Sequence, residues 1–275
     1  MAKSLFSPEE RPQGMSELSW AEHPELVRFY SQHRSRPEDL YPSERRFLPW
    51  LARQATSVLD TGCAAGGFIH IWRFYHPNVE YTGIDISSAL IETARRLHPN
   101  ELFFRANVSE VTGLPDRYAS VVQALSWLHW DLDYVKAITQ LWRLADRYLF
   151  MDVRLSARRN FNLRCRQKLA FVGPWDGESM TPYLILGWPP FARLLLGLKP
   201  RTILGYGYWG KPAETVVGVD EEICFAVFVL EKIGIGANSR IPTVCVDLPL
   251  AWPAALSGNV HLIPGSELKA LVPLE

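Results

Sequence analysis

The sequence predicts an α/β fold: an open twisted sheet of five parallel-type strands plus an antiparallel closing strand pair, with helices on both faces. Three observations predict it. Apolar strand-like runs alternate with helical runs between residues 57 and 153, the pattern of a sheet whose strands are joined by crossover helices. The stretch Ser57 to Phe68, SVLDTGCAAGGF, passes from apolar residues into a turn of small residues and then into an apolar helix start. Strand, glycine turn and helix in that order bind nucleotides at the carboxyl end of a strand. Finally, the strand-like runs Arg201 to Trp209 and Glu222 to Lys232 have a connection too short for a crossover helix, so they lie antiparallel.

Composition bounds the class. The chain has 275 residues, 48% hydrophobic and 21% charged, which is a globular composition with a substantial core and supports one large domain, or one domain with a smaller appendage. Lys plus Arg and Asp plus Glu each total 29, and a net charge of zero argues against a nucleic-acid partner. Cys63, Cys165, Cys224 and Cys245 are widely separated and show no zinc or redox spacing, so no metal site is expected. Most of them read as buried, inert thiols. The N-terminus lacks the apolar core of a secretory signal. No run approaches the roughly 18 to 20 apolar residues of a membrane span. A cytoplasmic location is the expectation.

In chain order, residues 1–18 are polar, with Pro8, Pro12 and Gly14, and read as a flexible N-terminus. Residues 19–54 turn helical: Trp20, Leu26, Val27, Phe29 and Tyr30 mark one amphipathic helix, and Phe47, Leu48, Trp50 and Leu51 a second. Ser43, after Pro42, marks a helix start, and a polar loop carrying Arg34, Arg36 and Tyr41 lies between. This segment is either packing or a lid. The main domain is expected over 55–235. Its second strand, Val79 to Ile86, ends at Asp85, and the helix Ser87 to Leu97 is capped by Ser87 or Ser88. Glu101 to Ala106 and Tyr118 to Leu125 are the third and fourth strands, Leu132 to Leu144 a helix, and Tyr148 to Val153 the fifth strand. An insert at 156–182, basic and then rich in Gly and Pro, interrupts the alternation. Phe191 to Leu198 reads as a short helix opened by Pro189 and Pro190. The tail, 236–275, carries no assignable element.

Four places in this pattern resemble the class I S-adenosylmethionine-dependent methyltransferases, a Rossmann-like family, over roughly residues 45–232. The first is DTGCAAGGF, where Asp60, Gly62, Cys63 and Gly66 fall on the positions that lay the methionine part of the cofactor against the backbone. Ala64 stands where many members have glycine, a departure because alanine resists some glycine conformations. The second is Asp85, with Ile86 after it, where a carboxylate accepts the ribose hydroxyls. The third is Asn107 and Val108, whose side-chain amide and backbone N–H suit adenine. The fourth is SWLHW, Ser126 to Trp130, which in the family lines the site around the sulfonium. The resemblance implies S-adenosylmethionine as cofactor and S-adenosylhomocysteine as product.

The competing ligand is a nicotinamide or flavin dinucleotide, whose turn follows G-x-G-x-x-G. Here the order is Gly62-x-x-x-Gly66-Gly67 with Asp60 in front. A carboxylate beside the turn repels pyrophosphate but accepts from the methionine ammonium, so the dinucleotide is rejected. Each residue also has a plain reading: Asp85 as the cap of the next helix, Asn107 as a turn residue, His70 as packing.

Methyl transfer needs a positioned nucleophile and excluded water, and a base where the acceptor is a hydroxyl. His129 is the first candidate base; Asp152, paired with Arg154, is the second. Arg34, Arg36, Tyr41, Trp130 and Arg154 are the candidate substrate residues. The arginine and aromatic content of the segments outside the common core suits a sugar, an anionic group or an aromatic acceptor equally, and the acceptor is expected to be an oxygen or nitrogen of a small molecule or glycan. The stretch Tyr183 to Leu198 reads as a helix packed on the sheet, with a membrane-surface role as the alternative. Two functions stand open: an active methyltransferase, or a methyltransferase-like cofactor-binding module without turnover in an assembly. The oligomeric state is open, a homodimer among the options.

Overall fold

The computed structural model describes residues 23, 25–31, 33–156, 162–234 and 241–273. The expected flexible N-terminus at 1–18 and the basic stretch 157–161 lie outside them. Three short helices come first: α1 (Leu26–Tyr30), α2 (Pro42–Arg45) and α3 (Leu48–Gln54). Then β1 (Ser57–Thr61), α4 (Phe68–Tyr75), β2 (Glu80–Asp85), α5 (Ser88–Leu97), β3 (Leu102–Arg105), β4 (Ala119–Ala124), α6 (Tyr134–Leu144) and β5 (Ala145–Ser156) alternate as the sequence predicts. Ser87 is the cap of α5, its hydroxyl accepting from the Leu90 N–H at 3.4 Å.

The second half adds β6 (Leu163–Lys168), β7 (Met180–Gly187), α7 (Trp188–Gly197), β8 (Thr202–Gly210), β9 (Val216–Val217), β10 (Ile223–Glu231), β11 (Thr243–Asp247), β12 (His261–Ile263) and α8 (Leu268–Leu271). The main path of the sheet runs β3-β2-β1-β4-β5-β10-β8-β11-β12. Strands β1 to β5 are parallel, and β10 enters antiparallel to both β5 and β8. The closing pair is therefore as expected. It does not end the sheet, because the tail adds β11 parallel to β8 and β12 parallel to β11.

Tyr183 to Gly187 corrects the helix reading of that stretch. These residues are strand, and the helix begins only at Trp188, with Pro189 and Pro190 in its first turn. β7 pairs antiparallel with β6, and its end runs beside the end of β5 through Leu155 and Leu186. The insert is thus a small antiparallel sheet, completed by β9, standing above the carboxyl edge of the main one.

Two apolar layers sandwich the main sheet, as strands covered on both faces require. On one face Leu59, Val122 and Leu149 pack with Ile138 and Leu141 of α6 and Phe191 and Leu195 of α7. On the other, Val58, Val121 and Phe150 pack with Leu48 and Leu51 of α3, Ile69 and Trp72 of α4, and Ile91 of α5. Among the described residues no helix is long and apolar enough to cross a membrane. Sheet order reverses between β1 and β4, so the loops leaving their carboxyl ends diverge and open a crevice.

Candidate functional site

A cavity occupies that crevice. Gly62, Cys63, Ala64 and Gly67 after β1 line it, with Ile84, Asp85 and Ile86 at the end of β2. Ala106, Asn107 and Val108 follow β3, and Leu125, Ser126, Trp127, Trp130 and Asp131 follow β4. Tyr30, His33 and Arg34 close it from the N-terminal segment, joined by Phe68 of α4 and Thr181 of β7.

The β1 turn is shaped by two demands. Gly62 has φ +71°, and a methyl there would sit 2.4 Å from Trp127 Cδ1, so both the left-handed backbone and the contact require glycine. Ala64 also adopts a left-handed φ of +48°, which costs an alanine on the order of 1 kcal/mol. Its N–H donates to Asp85 Oδ2 at 2.9 Å, and this bond offsets that strain.

Asp85 is buried at the cavity wall, with Oδ1 accepting from the Ser87 N–H at 2.9 Å. Burial raises its carboxyl to about 6, although the bonds from Ser87, Ala64 and Ile86 pull the other way. Tyr30 lies near it, and burial, reinforced by the Asp85 charge, raises the phenol far above its ordinary value. Asn107 caps the 3₁₀ turn Val108–Glu110 by accepting from the Ser109 N–H at 3.0 Å.

Asp60 corrects an expectation. It does not reach the cavity. Side chains alternate along a strand, and Asp60 shares the face of Val58, beneath α4. There Oδ1 accepts from Gln123 Nε2 at 2.9 Å, Oδ2 accepts from the Tyr81 hydroxyl, and Gln123 Oε1 accepts from Trp72 Nε1 at 2.9 Å. Burial lifts the Asp60 carboxyl to about 7. Gly66, with φ +83°, faces His98 and Phe103 and turns the chain without lining the cavity.

The two candidate bases are also displaced. His129 is buried on the 3₁₀ turn Leu128–Trp130, its ring against Trp130 and Tyr183. Burial, with Arg154 adding to it, holds its imidazole well below the ordinary value, hence neutral. Asp152 accepts from the Ser126 N–H at 2.6 Å through Oδ1 and from Arg154 Nη1 at 2.6 Å through Oδ2. Neither His129 nor Asp152 lines the cavity, and nor does Arg154, whose guanidinium lies over the Phe225 ring. Arg36 is exposed and does not line the cavity, and nor does Tyr41, whose ring lies beneath the Arg34 guanidinium.

Of the expected residues, the cavity brings together Gly62, Cys63, Ala64, Asp85, Ile86, Asn107, Val108, Ser126, Trp130 and Arg34. Tyr30, His33, Trp127, Asp131 and Thr181 were missed. Trp127 alone had a signal, lying inside SWLHW.

A family model described as a methyltransferase domain matches residues 58–147. These hold β1 to β4, with every turn that lines the cavity from the sheet. Residues 58–147 are thus similar to a class I methyltransferase domain. The class uses S-adenosylmethionine. Trans-aconitate 2-methyltransferase of Paracidovorax citrulli (strain AAC00-1) is 25% identical over 154 residues, 56% of this chain; the chain spans 57% of that relative's length. Among solved structures, magnesium protoporphyrin IX methyltransferase from Synechocystis PCC 6803 with bound S-adenosylmethionine has 13% identity and a TM-score of 0.40. The match covers 68% of this chain and 76% of that one. An S-adenosylmethionine-dependent methyltransferase from Aquifex aeolicus has 17% identity and a TM-score of 0.40, over 72% and 97% of the two chains.

The cover of the cavity is held from outside the matched segment. Arg34 Nη2 donates to the buried Glu44 Oε1 at 2.5 Å, and its guanidinium stacks over Tyr41 and Phe68. Phe171 of the insert packs against the rings of His23, Phe29 and Tyr30. Glu25 Oε2 accepts from the Val172 N–H at 3.2 Å.

Proposed function

We propose that the chain binds S-adenosylmethionine in this cavity and transfers its methyl group to an oxygen or nitrogen of a small molecule or glycan. The observation that carries the reading is the Asp85 carboxylate, buried at the end of β2 and lining the cavity beside the small-residue β1 turn. Oδ2 accepts from the Ala64 N–H and Oδ1 from the Ser87 N–H, and the carboxylate's remaining acceptor capacity suits the ribose hydroxyls. Asn107 has spent one lone pair of its amide oxygen on Ser109; its second lone pair and its NH₂ group suit the adenine edge. Gly62 and Ala64 offer no bulk against the methionine portion.

When bound, the cofactor supplies an electrophilic methyl on a sulfonium whose thioether leaves readily. The protein holds the acceptor in line and excludes water. Tyr30 and Arg34 above, and Trp127 and Trp130 at the β4 turn, form the apolar and aromatic walls that do so. Where the acceptor carries a hydroxyl, proton removal falls to Asp131 or His33, which line the cavity, and not to His129 or Asp152. The relative named for trans-aconitate supports a small-molecule acceptor.

The test is incubation of the full chain with methyl-labelled S-adenosylmethionine and a panel of small organic acids, phenols, amines and sugars. Label is expected in at least one product. Cofactor binding with no label in any of them would favour the module without turnover.

A further inference from the structure

Ser126 holds a left-handed backbone, φ +66°, although it is not glycine. Such a conformation persists only where the surroundings over-determine it. Here the surroundings are two residues of β5. Asp152 Oδ1 accepts from the Ser126 N–H at 2.6 Å, and Arg154 Nη1 occupies Asp152 Oδ2 at 2.6 Å. Both charged side chains are buried, at 4% and 8% exposure, so the carboxylate has no water to turn towards. Burial opposes the Arg154 charge, but Asp152, with Tyr183 adding to it, raises the guanidinium above its ordinary value. The next residue, Trp127, then lies with its indole edge against Gly62, closing the cavity between the β1 and β4 turns.

We infer that Asp152 and Arg154 are positioning residues: a buried ion pair that holds Ser126 in its left-handed turn and so sets Trp127 against Gly62 to shape the cofactor cavity. The inference rests on the cofactor reading above and goes beyond it. It replaces an acid–base role for Asp152 and a substrate contact for Arg154 with a mechanical role, exerted through one backbone N–H. A buried ion pair contributes little net stability compared with apolar residues of the same size, which suits a pair retained for geometry.

The experiment measures S-adenosylhomocysteine affinity by calorimetry, beside thermal unfolding, for four full-length proteins. These are the natural chain, Asp152→Leu/Arg154→Met, the same pair with Ser126→Gly added, and Ser126→Val alone. Removing both charges together avoids a lone buried ion. The paired change is expected to weaken binding about tenfold, the scale of one strained backbone position released. Adding glycine, which adopts positive φ freely, is expected to restore most of that loss. A role confined to folding would not be rescued at residue 126. If the paired variant fails to fold, Ser126→Val, which leaves the ion pair intact but resists positive φ, carries the test and is expected to lose about tenfold. Natural-like affinity in the variant that decides, or a folded paired variant that glycine does not rescue, overturns the inference. No binding by the natural chain overturns the cofactor reading, and this inference with it.

Discussion

The turns after β1, β2 and β3 are fixed through their backbone N–H groups, donated to a β2 carbonyl and to the Asp85 and Asn107 side chains beside the strand ends. Gly62 and Cys63 donate to the Ile84 carbonyl at 2.7 and 3.0 Å, Ala64 and Ser87 donate to Asp85, and Ser109 donates to Asn107. The cover opposite them is fixed by side chains: Glu44 on Arg34, Phe171 among three rings, Glu25 on the Val172 N–H. A wall tied to the sheet at nearly every residue opens only when the sheet does. A wall held by a few side-chain contacts opens locally, at a fraction of the global stability. The first suits a surface that must match a constant ligand, and the second suits one that must let ligands pass.

The largest expected effect breaks the sheet side. Gly62→Ala places a methyl 2.4 Å from Trp127 Cδ1 at φ +71°, and should cost about 3 kcal/mol in urea unfolding while abolishing measurable cofactor affinity. Next comes the cover. Glu44→Ala leaves the Arg34 guanidinium without its carboxylate; the strain should be relieved by local opening worth about 2 kcal/mol. Hydrogen exchange should then rise across Leu26–Tyr30 and stay unchanged in β1. Equal acceleration in both would erase the distinction between the two walls. A smaller effect is expected for Phe171→Ala, which removes ring contacts worth about 1 kcal/mol. Stopped-flow release of S-adenosylhomocysteine should quicken about fivefold, with thermal unfolding nearly unmoved.

The smallest effect sharpens the comparison through pH. Burial lifts Asp85 to about 6 and Asp60 to about 7, from an ordinary 3.8. A carboxyl raised on folding contributes stability that is fully present below its unfolded value and is lost as pH rises through the folded one. The ligand-free chain should therefore lose that contribution between about pH 4 and 7, and Asp60→Asn should flatten the slope. Cofactor affinity, which needs the Asp85 carboxylate, should run the opposite way and fall as pH drops through 6.

The backbone-held wall was the part legible in the sequence. Its marks are short and local: glycines after an apolar run, an acid ending the next strand, a serine one turn before a helix. Ser87 and the antiparallel pairing of β8 with β10 could be read for the same reason. Asp60 stands beside the turn in sequence, but period-two alternation along β1 turns its side chain under α4. Met180 to Gly187 was only partly legible, since a short apolar run gives strand and helix the same signal. Tyr30, His33 and Thr181 reach the cavity through contacts 30 to 150 residues apart in the chain, for which no local pattern exists. The tail was unreadable because β11 and β12 gain their pairing only from β8, far upstream.

The central claim is that Asp85 holds the cofactor at a wall built on the sheet. Its most direct test is a calorimetric titration of S-adenosylhomocysteine into the natural chain and into Asp85→Ala at pH 8, where the carboxylate is charged. The account predicts binding by the natural chain and a loss of about 100-fold in the variant, the scale of two hydrogen bonds to a charged acceptor, with the variant still folded. Equal affinity in a folded Asp85→Ala, or no binding by the natural chain, would contradict it.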